Sequence, residues 1–186
     1  MEVGWIILIA LVVLGLIVVL WFVGIYNSLI RARNEVKSAW SHIDVQLKRR
    51  HDLIPNIVET ARGYMQHERG TLEAVTQARN LAAGARTPAA AGKAEGILGQ
   101  ALSGFFAIAE NYPELKANTN FLKLQDELAE TENRISLVRQ GYNDSAMRFN
   151  NLREVFPNSL IAGSFERAEM FEITNPAERE VPKVSF

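Results

Sequence analysis

The residues best suited to chemistry in this sequence are three histidines, His42, His51 and His67, and the charged block KRRHD at residues 48–52. None of the histidines has a second ligand residue at a recognised zinc spacing, so all three are expected on the surface. The serines form no G-x-S-x-G motif, and the glycines form neither a phosphate-binding loop nor a dinucleotide-binding motif. The absence of cysteine excludes disulfides, thiolate metal sites and a cysteine nucleophile. These patterns predict no catalytic residue, no metal site and no cofactor.

The carboxylates give no better evidence for catalysis. A di-iron site in a helical bundle needs inward carboxylates with paired Glu-x-x-His motifs, and the sequence contains none. A buried general acid or base would have to interrupt an apolar helix face, and the acidic residues are expected to lie off those faces. The sequence therefore predicts a protein that is not an enzyme, and an enzyme with an unfamiliar site is the less favoured alternative.

The charged block consists of Lys48, Arg49, Arg50, His51 and Asp52. A solvated basic face is the favoured interpretation, and a docking surface for an acidic protein partner is the functional alternative. The block lies about twenty residues beyond the apolar N-terminal segment, or roughly 35 Å by helix rise, so lipid binding is less favoured. The formal net charge of −1 gives no electrostatic signature of nucleic-acid binding. These five residues are therefore the candidate contacts to unknown cytoplasmic or membrane proteins.

The helix expected to carry the charged block begins with a membrane-spanning segment. No charged residue occurs from Val3 to Ile25, a stretch that is roughly 35 Å long as a helix and can cross a bilayer. Trp5 lies near one end, and Trp21 and Tyr26 lie near the other, where aromatic rings anchor helices at the lipid headgroups. A cleaved signal peptide is disfavoured because the basic n-region and small-residue cleavage site are absent. We expect residues 1–26 to form a short tail and a permanent anchor in the lipid bilayer.

Basic residues indicate the orientation of this single span. Arg31, Arg33 and Lys37 follow it closely, whereas no lysine or arginine precedes it. The flank that carries the basic residues normally stays in the cytoplasm. The sequence therefore predicts an outside N-terminus and a cytoplasmic C-terminal domain.

The apolar stripe continues beyond the span at heptad spacing from Leu29 to Tyr64, which predicts that one helix leaves the membrane and enters the domain. Pro55 should cost such a helix roughly 3 kcal/mol, because it removes one backbone hydrogen bond and crowds the carbonyl of His51. The phase of the stripe is unchanged across Pro55. This favours a kink at Pro55, and a fresh helix capped by Asp52 is the alternative.

The remaining pattern predicts an all-α fold, in which the transmembrane helix continues into an antiparallel bundle of four-helix type over residues 27–156. A second helix is expected at 72–83, a mobile Ala- and Gly-rich connection at 82–96, and a third helix at 93–111. A long apolar seam from Phe121 to Phe156, in which only Thr131 and Ser145 are polar, resembles a coiled coil and should pair with the helix that follows the span. Residues 157–186 are expected to form an irregular tail that frays after Asn175.

Several long blocks resemble the LemA family of bacterial inner-membrane proteins. Residues 26–68, YNSLIRARNEVKSAWSHIDVQLKRRHDLIPNIVETARGYMQHE, are similar to the most distinctive block of the family. Residues 110–135 and 142–163 are similar to its two later blocks, and MEVGWIILIALVVL is similar to its N-terminal tail and span. The segment FERAEMFEIT departs from the expected pattern. The resemblance implies a bacterial inner-membrane location, an outside N-terminus and a mostly helical cytoplasmic domain.

The resemblance also bears on function. It implies no catalytic residues, and relatives occur among proteins of magnetosome membranes, which implies a role in organising membranes or protein assemblies. The leading hypothesis is a membrane-anchored scaffold or adaptor that presents its helical bundle to protein partners. The alternative is a homo-oligomer that organises the membrane and uses the seam from Phe121 to Phe156 between subunits.

Overall fold

The computed structural model describes residues 2–173, and every regular element in this part of the chain is a helix. The predicted all-α fold, with a long N-terminal helix followed by bundle helices, is therefore confirmed. The helices are α1 (Glu2–Arg62), α2 (Arg69–Gly84), α3 (Pro88–Ala109), α4 (Pro113–Lys116) and α5 (Thr119–Glu154), followed by short 3-10 helices at Asn158–Leu160 and Ala162–Ser164.

These elements form two compact units. Of the described residues, the first unit contains 2–38 together with Asp144–Ala168. The second contains Ala39–Asn143 together with 169–173. The boundaries expected after residues 26 and 156 stay predictions.

In the first unit, no other part of the described chain packs against the N-terminal part of α1. Every large apolar side chain from Val3 to Val23 is exposed, and the stretch is long and apolar enough to cross a membrane by length and composition. A continuous apolar surface of this kind is rare on a protein surrounded by water. The helix therefore fits a membrane protein. Trp5, Trp21 and Tyr26 are exposed on it, and their role as interface anchors stays a prediction.

In the second unit, α1 and α5 pack against each other in opposite directions. Arg50 pairs with Glu132, and the ring of Trp40 meets that of Tyr142 edge to face at 5.4 Å. From Arg50 back to Trp40 on α1, the contacting residue on α5 advances from Glu132 to Tyr142. The two helices therefore run in opposite directions, and the predicted antiparallel packing is confirmed in this unit. The buried apolar residues of the two stripes in this unit are Ile43, Leu47, Ile54, Ile57 and Ala61 on α1, and Phe121, Leu128, Ile135 and Tyr142 on α5.

The predicted seam on α5 is too long at its C-terminal end. Phe156 is exposed, because α5 ends at Glu154, before Pro157. The two polar seam residues are buried as the spacing required, and Thr131 donates its hydroxyl hydrogen to the Glu127 carbonyl one turn back. Such a bond satisfies a hydroxyl that would otherwise be costly to bury.

The mobile connection predicted at 82–96 is wrong, since helix α3 begins within it. The Thr87 hydroxyl accepts a hydrogen bond from the Ala90 amide at 3.3 Å, and Pro88 occupies the first turn. Threonine before the first turn and proline inside it favour helix initiation, and the alanines that follow are strong helix formers. Only residues 85–87 connect α2 to α3.

A short segment after residue 168 packs against α5 and α3 in the second unit. Asn143 donates from its amide to the Phe171 carbonyl at 3.1 Å and accepts from the Phe171 amide at 2.9 Å. Tyr142 donates its phenol hydrogen to the Glu169 carbonyl at 2.7 Å, and burial, aided by the Glu169 charge, raises the pKa of Tyr142 to about 12. The phenol therefore stays protonated at neutral pH. The fraying expected after Asn175 lies outside the described residues.

The segment after residue 168 lies so close to α3 that one position on this helix has no room for a side chain. A Cβ atom placed on Gly92 would overlap the backbone carbonyl group of Glu172. Because the obstacle is backbone, it cannot move aside by a rotamer change. Gly92 thus allows the segment to approach α3 closely.

We predict that Gly92→Ala destabilises the protein by about 1–3 kcal/mol, because the added methyl group displaces the backbone at Glu172. Gly104→Ala is the matched control, since the same helix has open space at that position. The control should be neutral or stabilise α3 by up to about 1 kcal/mol, as alanine is the better helix former. Urea unfolding in mild detergent, followed by circular dichroism, measures both. Equal effects of the two substitutions would contradict the packing of this segment.

Candidate functional site

The charged block divides into a buried and an exposed part. Lys48, Arg49 and Asp52 are exposed, whereas Arg50 is only 4% exposed and His51 only 8%. The expectation that Arg50 and His51 lie on the surface is therefore wrong. His42 and His67 are exposed, as predicted.

Helix geometry explains why these two residues are buried. Leu47 and Ile54, one heptad apart, are both buried on the stripe of α1 that faces the core. Arg50 and His51 lie three and four residues after Leu47, which places them on the same stripe. The apolar pattern therefore has a gap that two ionisable residues fill. This gap is the signal in the sequence that could have revealed a buried polar cluster.

The partner of both residues is Glu95 on α3, which is 1% exposed. One carboxylate oxygen, Oε2, accepts from Nη1 of Arg50 at 2.8 Å. The other, Oε1, lies 2.6 Å from Nε2 of His51. With Glu95 ionised, both oxygens act only as acceptors, so His51 donates through Nε2. A single buried carboxylate thus binds two consecutive residues of α1.

Small residues allow α3 to bring this carboxylate close to α1. Buried residues on both sides of Glu95 are Ala91, Gly92, Ala94 and Gly96. With little side-chain volume around it, the helix backbone can approach its neighbours and direct the carboxylate inward. The expectation that acidic residues lie off the buried faces is wrong for Glu95. Sequence reasoning missed it because it belongs to an Ala- and Gly-rich stretch that suggested a flexible connection.

Arg50 extends the cluster to a third helix. Its Nη2 atom lies 3.2 Å from Oε2 of Glu132 on α5, a carboxylate that is half exposed. Arginine suits this position, because its planar guanidinium group can donate to two carboxylates in different directions. We call Arg50, His51, Glu95 and Glu132 the buried ionic cluster. It joins α1, α3 and α5.

The structure also shows how α1 passes Pro55. The helix is continuous from Glu2 to Arg62, so the alternative of a fresh helix capped by Asp52 is wrong. In an uninterrupted helix, the amide of residue 55 would donate to the carbonyl of His51, but proline has no amide hydrogen. Nε of Arg79, on α2, donates to that carbonyl at 3.0 Å instead. Whether Pro55 bends α1 stays a prediction.

A small cleft lies beside the buried ionic cluster. It has a volume of about 230 Å³ and is lined by α1, α2 and the start of α3. Its polar wall comes from Asp44, Lys48, His51, Asp52 and Arg79. Across residues 2–173, no group of three or more histidine, aspartate or glutamate side chains is arranged to hold a metal ion. The exposed part of this wall carries charges of both signs, from Asp44, Lys48 and Asp52.

We predict that Glu95→Gln costs about 3–5 kcal/mol of stability, because it leaves the buried charge of Arg50 without its closest counter-ion. Glu132→Gln is the matched control and should cost less than about 1 kcal/mol, since that carboxylate is half exposed. The combined replacement Arg50→Met, His51→Leu and Glu95→Leu should recover much of the loss. Urea unfolding of the full chain in detergent measures all three. Similar losses for both glutamine variants would refute a special role for Glu95.

A second prediction concerns Arg79 and Pro55. Arg79→Met should cost about 1 kcal/mol, because the His51 carbonyl loses its donor. In a Pro55→Ala background the same change should cost clearly less, since the alanine introduced there has a backbone amide that can donate to that carbonyl. The double-mutant cycle over Pro55 and Arg79 measures this coupling. Additive effects would show that Arg79 does not compensate for the proline.

Comparison with known proteins places the chain among relatives. The chain is 27% identical over 167 residues to protein LemA of Metamycoplasma hominis, covering 88% of this chain and 74% of that protein. It is 24% identical over 195 residues to magnetosome protein MamQ 2 of Paramagnetospirillum magneticum, covering 88% and 72% respectively. Magnetosome protein MamQ of Magnetospirillum gryphiswaldense is 24% identical over 174 residues, with 78% and 64% covered. Residues 39–186 match the model of the LemA family, and the chain therefore belongs to the LemA family.

Proposed function

We propose that this protein is a membrane-anchored, non-enzymatic scaffold or adaptor that presents its helical bundle to protein partners. The location that fits this role is the bacterial inner membrane, with a single span, the N-terminus outside and the bundle in the cytoplasm. Trp5, Trp21 and Tyr26 would lie at the lipid headgroups, as expected of interface aromatics.

One observation carries the proposal: α1 contains the apolar stretch and also supplies core residues of the bundle. The helix continues from Glu2 to Arg62, and beyond the span its buried residues include Ile43, Ile54 and Ile57. The anchor and the bundle thus share one helix and have no loop between them. Such a connection suits a protein that holds a surface near a membrane, and an enzyme would not require it.

The polar chemistry of the bundle supports a non-enzymatic role. Two buried side chains that could act as acid or base, His51 and Glu95, are bound to each other, and Glu95 also binds Arg50. Each of these contacts joins helices of the same unit. The cluster therefore serves the fold, and the exposed charges next to it are left for binding.

The surface we assign to partner contact is the exposed part of the charged block together with Asp44, one turn earlier on α1. Asp44, Lys48 and Asp52 lie four residues apart on α1 and line the cleft, with Arg49 exposed beside them. Their alternating charge fits a partner segment that carries both acidic and basic side chains. Arg50 and His51 are buried beneath this surface and hold α1 in place through Glu95.

Two of the relatives are named magnetosome proteins. That name associates related chains with an organised cellular structure, which supports a role in assembly. The alternative function is a homo-oligomer that organises the membrane. Its expected interface, the α5 seam, is largely buried within one chain, so such an oligomer would need another surface.

Photo-crosslinking in intact cells tests the proposal. A photoreactive residue at Arg49 should capture a discrete protein other than the chain itself, and Lys48→Glu with Asp52→Lys should abolish the product. Lys116→Glu with Lys123→Glu, at exposed positions on α4 and α5, is the control and should leave it intact.

Other outcomes reject the adaptor. A photoreactive residue at Leu137, which is exposed on α5, reports contacts between copies of the chain. Products that contain only this protein, at both positions, would establish the homo-oligomer instead. A product at Arg49 that survives the Lys48 and Asp52 reversals would remove the charged block from the contact surface.

A further inference from the structure

The turn that follows α5 exposes large apolar side chains. Val155 is 59% exposed, and Phe156 and Leu160 are each 73% exposed. No charged residue occurs from position 155 to 165. We call residues 155–160 the apolar tip. An exposed apolar cluster without charges is the kind of surface that marks contact with another apolar phase.

The apolar tip is held in one conformation by its own hydrogen bonds. The Ser159 amide donates to the Val155 carbonyl at 3.0 Å, and the Leu160 amide donates to the Pro157 carbonyl at 3.1 Å. The Asn158 side-chain amide donates to the Leu152 carbonyl at 2.9 Å and ties the tip to the last turn of α5. The backbone therefore keeps the apolar side chains outside the core, even though burying them would be favourable.

Contacts within the first unit place the apolar tip near the end of the span. Arg148 on α5 pairs with Glu35 on α1 at 3.0 Å. Phe165, which follows the tip, has its ring centroid 5.6 Å from that of Tyr26. Between residues 148 and 165 the chain therefore runs along α1 from Glu35 toward Tyr26, which is the direction of the span. Helix α5 covers about 9 Å of this distance between Arg148 and Glu154.

Burial on α1 agrees with this placement. The large apolar residues from Val3 to Val23 are exposed, whereas Ile25 and Leu29 are buried. Protein cover on the helix therefore begins where the apolar stretch ends. The guanidinium group of Arg33 lies over the Phe165 ring at 5.4 Å, and that of Arg153 lies over the Phe149 ring at 5.9 Å. Cations thus flank the uncharged turn, as they do where a protein enters the lipid headgroup layer.

We infer that the apolar tip is a second membrane contact: Val155, Phe156 and Leu160 insert into the boundary between headgroups and acyl chains beside the span. The partner is the lipid bilayer. Insertion removes apolar surface from water, and the self-bonded backbone of the tip adds few unpaired polar groups to the interface. The inference rests on the membrane anchoring proposed above. It adds that the end of α5 is also held at the membrane.

Site-specific fluorescence tests the inference in the full chain. The sequence has no cysteine, so Ser159→Cys adds a single labelling site in the tip and keeps its apolar residues. The labelled protein is reconstituted into phosphatidylethanolamine and phosphatidylglycerol vesicles, with a nitroxide on the upper acyl chain of some lipids. A fluorophore at residue 159 should lose most of its emission to the lipid nitroxide and be protected from aqueous iodide.

Two further labels serve as controls. Met147→Cys, exposed on α5 in the same unit, lies about 12 Å before Val155 by helix rise. Its label should keep nearly all of its emission with the nitroxide and remain open to iodide. Val19→Cys, within the apolar stretch and about 9 Å from Ile25 by helix rise, should be quenched by the lipid nitroxide if the span is in the bilayer. Quenching at residue 19 but not at 159 overturns the apolar-tip contact alone, whereas absence of quenching at 19 overturns the anchor and the tip contact together.

Variants of the tip complete the test. Phe156→Ser with Leu160→Ser should restore iodide access at residue 159 and reduce its quenching by lipid to the level at 147. Leu122→Ser with Leu137→Ser removes two other exposed leucines of α5 and should change neither value. Protection from iodide without quenching by lipid would mean that a second copy of the chain covers the tip, and would overturn the inference.

Discussion

A single buried carboxylate determines how the helices of the second unit can meet. Glu95 has no access to water, so its charge is tolerable only while Arg50 and His51 donate to it. Those donors are consecutive residues on α1, and Arg50 also reaches Glu132 on α5. Helices α1, α3 and α5 must therefore pack together. Their relative positions follow from the requirement that no charge is left unpaired.

Pro55 creates a similar dependence one turn further along α1. The proline removes the amide that would satisfy the His51 carbonyl, and Arg79 from α2 supplies the missing donor. His51 is thereby bound through its ring to α3 and through its backbone to α2. A local defect in one helix becomes a contact between helices, because a carbonyl left without a partner is costly to bury. The proline fits this fold because Arg79 lies within reach.

The periodic parts of this fold could be predicted from the sequence, because burial of a helix face leaves a repeat of three and four residues. The core stripes of α1 and α5 follow from that rule. The start of α3 could not be predicted in the same way, since Ala and Gly in residues 82–96 suit a mobile loop as well as a closely packed helix. Glu95 lies in this stretch. Its burial depends on helices that are distant in the sequence, and no local pattern reports their distance.

The buried ionic cluster also explains how one register between helices is selected, which apolar stripes alone do not determine. Heptad stripes of similar side chains can pair in registers that differ by seven residues, with small changes in apolar burial. A shift of α1 against α3 by one heptad would bring Ile43 or Val58 to the level of Glu95 and leave the carboxylate unpaired. The loss of charge pairing is larger than the difference between two apolar registers. The ionic contacts thus contribute less to net stability than to the selection of one arrangement of α1 against α3.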